Sequence, residues 1–125
     1  MNPKKRVYVC FEYDKDRTLK HLLIGQSRHA ESPFEVFDHS LKEAVPEKDW
    51  LEKAEAHIKR ADVVIVLLGA TTHKATGVAK EIALARREKK KIVQLIGYKD
   101  IKYQRIPGAG RLYAWTWDNL QKILR

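Results

Sequence analysis

Apolar and polar positions along the chain alternate between two periods. Arg6–Phe11 (RVYVCF) reads as a strand, and Asp16–Arg28 as a helix with Leu19, Leu22 and Leu23 on one face. Pro33–Asp38 (PFEVFD) is a short second strand. Pro46 opens a helix whose stripe is Trp50, Leu51, Ala54, Ile58 and Ala61. Asp62–Gly69 (DVVIVLLG) shows no polar alternation after Asp62, so it is expected to be buried on both faces. A helix over Thr76–Lys89 follows, then a fourth strand, Lys91–Ile96. A polar loop ends in Pro107–Gly108–Ala109–Gly110. A short fifth strand, Leu112–Trp115, and a helix from Trp117 to Arg125 close the chain. Strands alternating with helices around an apolar third strand predict a doubly wound parallel α/β sheet. For five strands, the flavodoxin-like order 2-1-3-4-5 is the default.

Within this pattern one residue breaks the local rule. Projected on a helix of about 3.6 residues per turn, Val78, Ile82, Leu84 and Ala85 form an apolar arc, and Glu81 falls inside it. A solvated glutamate belongs on the opposite face, beside Lys80 and Arg87. Held against a core, a carboxylate is costly unless a partner or a reaction uses it. The plain account is an ion pair with a nearby Lys or Arg.

The predicted topology then selects loops, because open α/β sheets bind ligands at the carboxyl ends of their strands. Phe11–Glu12–Tyr13–Asp14 follows the first strand, Asp38–His39–Ser40 the second, and Gly69–Ala70–Thr71–Thr72–His73 the third. Acidic, aromatic and hydroxyl side chains thus collect at one rim. Other families with this topology fit poorly. A receiver domain needs a phosphoacceptor aspartate where this chain has Leu68–Gly69–Ala70. A flavin mononucleotide carrier needs a phosphate-binding first loop, where this chain has Glu12 and Asp14. There is no P-loop, no GxGxxG and no nucleophile elbow. The five histidines lack metal-ligand spacing, and one cysteine cannot build a zinc cluster, so no metal is expected.

Composition adds boundaries. A chain of 125 residues, 44% hydrophobic, is expected to form a single domain over its whole length. Lone Cys10 sits in an apolar run and reads as a small buried hydrophobe, so a reducing, cytoplasmic compartment is expected. No signal peptide or membrane span is visible, the longest apolar run being Val63 to Leu68. The net charge of +9 favours anionic partners. The basic residues are scattered, however, and no basic stripe carries interleaved aromatics. Nucleic-acid binding is therefore expected to be weak and to vanish at about 0.2 M salt. A salt titration against labelled duplex and single strands checks this, and sequence-specific binding that survives about 0.2 M salt overturns it.

Taken together, Val7–Asp14, Phe37–Ser40, Ala61–Gly69 with Thr72–His73, Glu81–Ile82, and Trp115–Asn119 resemble the TIR-like domain of the Thoeris ThsB family over nearly the whole chain. The resemblance implies a flavodoxin-like TIR fold in a prokaryotic antiphage protein. It implies an NAD glycohydrolase or ADP-ribosyl cyclase type of enzyme, with NAD as substrate and no other cofactor. Such an enzyme releases nicotinamide and makes an ADP-ribose-derived signal nucleotide that reaches a separate effector. Free ADP-ribose, a cyclic isomer and a conjugate are all compatible products. Glu81 takes the position of the family's catalytic glutamate. Phe11, Tyr13 and Asp14 match its first-strand loop, and Asp38 and Ser40 its second. Thr72 and His73 of the third loop complete the expected substrate-binding set. Many TIR enzymes carry a tryptophan four residues before the glutamate, where this chain has Gly77. Self-association, or pairing with another TIR-like subunit, is implied as well. The rival expectation is a non-catalytic TIR-like module that acts by assembly.

Overall fold

A computed structural model describes residues 4–37 and 47–124, without the side chains of Asp14 and Glu47. Strands β1 (Lys5–Cys10), β2 (Phe34–Val36), β3 (Val63–Leu68), β4 (Lys91–Ile96) and β5 (Arg111–Ala114) form one sheet. Helices α1 (Tyr13–Ser27), α2 (Glu47–Arg60), α3 (Thr76–Arg87) and α4 (Trp117–Leu124) connect or follow them. The sheet order is β2-β1-β3-β4-β5, and each neighbouring pair is parallel. The predicted order and the central place of β3 are therefore observed.

Strand parity builds two cores. Val7, Val9, Ile65, Leu67, Val93 and Leu95 point to one face, under Leu19 and Leu23 of α1 and Leu120, Ile123 and Leu124 of α4. The alternate positions, Tyr8, Cys10, Val64, Val66 and Leu68, meet Trp50, Ala54 and Ile58 of α2 and Val78, Ile82 and Ala85 of α3. All six residues of β3 are buried, as expected for a strand covered on both sides. Cys10 is buried and forms no disulfide, as its apolar context implied.

Two sequence expectations change. Leu22, placed on the core face of the first helix, is 56% exposed. Leu19 and Leu23 already fill the space against the sheet, and Leu22 projects from the flank. The first helix also begins earlier than Asp16: a turn starts at Tyr13, and the chain kinks at Asp16 (φ −120°, ψ 23°). At the kink Asp16 turns its side chain inward. Elsewhere the observed ends agree with the predicted ones to within a few residues, the usual slack at element ends.

The long connection between β4 and β5 is tied to the sheet by Gln94, a fully buried amide. Its Nε2 donates to the carbonyls of Ile106 (3.1 Å) and Gly110 (2.9 Å), and its Oε1 accepts from the Ile106 N–H (2.8 Å). Gly110 has φ +84°, and a Cβ there would lie 1.8 Å from the Ile92 carbonyl oxygen, so only glycine fits where this loop enters β5.

Candidate active site

Glu81 lies in the second turn of α3 and is 0% exposed. Its carboxylate accepts a hydrogen bond from the hydroxyl of Tyr8, on the same face of β1. Burial, and after it the Glu81 charge, push the Tyr8 phenol far above its ordinary range. Tyr8 therefore stays a protonated donor. Removing a carboxylate from water costs several kcal/mol even after relaxation. A built-in donor is what makes Glu81 tolerable in this core.

At the carboxyl rim of the sheet, where β1 ends and α3 begins, is a cavity of about 230 Å³. Phe11, Glu12 and Tyr13 line it from the β1 end, and Ala75 to Val78 from the start of α3. Gly77 and Val78 precede Glu81 by four and three residues, so all share one helical face. Phe11 and Tyr13 stand with ring centroids 6.1 Å apart at 31°. The Arg17 guanidinium carbon lies 5.0 Å from the Tyr13 ring centroid, and the buried Lys20 ammonium 5.7 Å from that of Phe11. Trp50 of α2, 7% exposed, lies behind Gly77, its ring 3.5 Å from where a Cβ would sit. The space beside position 77 is thus filled from behind by an indole of the neighbouring helix, which does not line the cavity.

The expected site residues do not all share this cavity. Phe11 and Tyr13 line it; Glu81 is not a lining residue and lies about one helical turn further along α3 from Gly77. Thr72 does not: its hydroxyl accepts the Gly69 N–H (2.7 Å) and donates to Asp16 (3.4 Å). His73 is half-buried on the short turn Thr72–Lys74, and its Nδ1 has no hydrogen-bond partner among the described residues. Asp38 and Ser40 lie outside the described residues, as does the side chain of Asp14. No group of three His, Cys, Asp or Glu among the described residues could hold a metal ion.

Asp16 organises a second polar cluster that the sequence pattern does not disclose. It is 4% exposed and accepts from the Tyr98 hydroxyl (3.2 Å) as well as from Thr72. Gly69 permits this approach, since a Cβ there would fall 2.3 Å from the carboxylate. Beside the cluster, Thr71 donates to Glu12 (2.5 Å) and accepts from Lys15 (3.2 Å). The ends of β1, β3 and β4 are thereby bound together under the residues that line the cavity. Burial raises the Asp16 carboxyl above its ordinary value, and Glu12 adds to the rise. The Tyr98 and Thr72 bonds and nearby Lys15 oppose it.

A raised carboxyl binds its proton more readily folded than unfolded. Its contribution to stability is therefore best below the unfolded value and falls as pH rises through the folded one. Asp16→Asn is expected to remove that slope and to unfold at higher denaturant concentration than wild type at neutral pH. Urea titrations across pH 4 to 7, set against the ordinary aspartate value of about 4, check this; an unchanged slope would assign it to other groups.

With this geometry established, sequence comparison decides the family. Residues 8–99 match the family described as Thoeris protein ThsB, TIR-like domain. The chain belongs to this family. It is a TIR-like, defence-related domain. Two solved structures share the ThsB-type fold seen here. One is titled as the Clostridium botulinum CMP N-glycosidase BcmB (TM-score 0.61, 21% identity, covering 95% of this chain and 97% of that one). The other is a prokaryotic SEFIR domain (TM-score 0.55, 20% identity, 95% and 92% covered). No curated protein matches the chain in sequence. No helix among the described residues of this ThsB-family chain is long and apolar enough to cross a membrane.

Tyr8, Trp50, Asp16 and Tyr98 were missed by sequence reasoning. Only Tyr8 carried a usable signal: a phenol on a buried strand needs a hydrogen-bond partner, and the glutamate on an apolar helical arc needed a donor. Nothing local marks Trp50 as lying behind Gly77, or Asp16 as turned inward.

Proposed function

We propose that this ThsB-family domain cleaves the bond between nicotinamide and ribose in NAD, with Glu81 as the catalytic carboxylate. The observation that carries this reading is a wholly buried glutamate, hydrogen-bonded by a tyrosine hydroxyl, one helical turn along α3 from the Gly77 and Val78 that line an aromatic-walled cavity at the ligand-binding rim of the sheet. The chemistry needs one carboxylate. Nicotinamide leaves with the C–N bonding pair and becomes neutral, so no acid is required. The ribose left behind has oxocarbenium character, and a fixed negative charge favours its formation. Water or another nucleophile then completes the transfer. Phe11 or Tyr13 offers a face on which the departing ring stacks. The fold neighbour named as a CMP N-glycosidase acts, by that name, on the same kind of bond.

In this reading the product is an ADP-ribose-derived signal for a separate effector, and assembly with a second TIR-like subunit accompanies activity. Asp14, Asp38, Ser40 and His73 are proposed to position substrate, and Thr72 to support them through Asp16. The test is incubation with NAD, alone and with phage-infected lysate, followed by mass analysis, with CMP in parallel. Nicotinamide release is the expected result. Release of cytosine from CMP alone would keep the bond type and replace the substrate.

One observation favours a second reading, a non-catalytic assembly module. Glu81 is fully enclosed and already hydrogen-bonded, as a structural carboxylate would be. No turnover under any trigger, with self-association intact, would select it.

A further inference from the structure

On the opposite face of the sheet from Glu81 lies a groove of about 530 Å³, at the carboxyl ends of β4 and β5. Leu22 and Gln26 of α1 form one wall, and Lys99, Tyr103 and Trp115 the other side. Leu22 is 56% and Tyr103 40% exposed, which makes them two of the large apolar side chains most open to solvent. One exposed leucine needs no explanation, but two such residues meeting in a concave rim site point to a ligand.

The polar groups narrow its class. Trp115 donates its indole N–H to the Gln26 oxygen (2.8 Å). An indole can only donate, so the amide must present its oxygen there. With its oxygen so engaged, the Gln26 amide, which lines the groove, offers its NH2 as a donor. Lys99 lines the groove and no acidic residue does; the same loop carries Lys102 and Arg105 against one acidic residue, Asp100. Gln94 anchors that loop at Ile106 and Gly110, so the wall bearing Tyr103 is built into the sheet. A flat ring with an acceptor edge and an attached anion matches these features. The volume suits a small molecule.

We propose that this groove binds a purine mononucleotide, at a site separate from Glu81. The base lies against Tyr103 and Leu22, its ring acceptor meets the Gln26 NH2, and the phosphate faces Lys99. The test is calorimetric titration of the whole chain with AMP, adenosine and inorganic phosphate, for wild type, Lys99→Glu and Tyr103→Ala. Both substitutions are on exposed residues, so folding, followed by circular dichroism, is retained. The expected result is AMP binding that weakens about tenfold in each variant, with adenosine binding less tightly than AMP. The proposal is overturned by no AMP binding at millimolar concentration, or by affinity that neither substitution changes. Phosphate binding as tightly as AMP overturns it too, by leaving an anion site only. So does a wild-type dimer that both substitutions dissolve without nucleotide, since the groove would then join two copies.

Discussion

Glu81→Gln is expected to lower nicotinamide release from NAD on the order of 100–1000-fold, the usual cost of removing one preorganised electrostatic group. The amide keeps the size of the side chain and can still accept from Tyr8, so the cavity retains its shape. What it loses is the negative charge that the proposed mechanism sets against the developing ribose cation. In the proposed mechanism the effect falls on kcat, because Glu81 is not among the residues lining the cavity and its aromatic walls are untouched. The fold should persist, and unfolding is expected to move little or toward higher stability, since the substitution removes a buried charge while leaving its donor bonded. Nicotinamide release measured under conditions where wild type turns over, alongside a denaturant titration, checks both halves. Equal turnover by the two proteins would remove Glu81 from the mechanism.

How far the sequence foretold this site differs from residue to residue. The sheet order followed from one uninterrupted apolar strand flanked by helical periods, because burial on both faces admits few topologies. Glu81 was conspicuous for a related reason: it contradicts an otherwise consistent arc on α3. Such a contradiction shows up in a one-dimensional pattern. Its resolution does not, because Tyr8 is distant in sequence and meets Glu81 only through the crossover between β1 and α3. Asp16 failed in the opposite way. An aspartate near a helix start reads as a cap, so nothing distinguished a side chain turned toward Thr72 and Tyr98 from one facing water. Thr72 shared that fate, a hydroxyl at the right rim pointing into a different cluster. Leu22 was misplaced because three leucines on one helical face look alike until the sheet has room for only two.

Tyr8→Phe is the substitution that separates a catalytic Glu81 from a structural one. The phenyl ring fills nearly the same volume, so the core between β1, α2 and α3 stays packed. The substitution removes the hydroxyl that donates to the Glu81 carboxylate. A hydrogen bond to a charged group contributes about 1.5–3 kcal/mol, and a buried charge deprived of its partner forfeits that much stability. If the bond also holds the carboxylate in its reacting position, kcat is expected to fall about ten- to hundredfold, the same energy expressed as a rate. KM is expected to hold, since Tyr8 is not among the residues lining the cavity. In a Glu81→Gln background the stability cost should shrink, because an amide needs the donor less; that difference is the coupling between the two residues. Denaturant titrations of the four proteins and steady-state kinetics of the two that retain Glu81 give every term. Lost stability with unchanged kcat would make the pair structural and favour the assembly module. A variant matching wild type in both would show that the Tyr8–Glu81 hydrogen bond supports neither the fold nor the reaction.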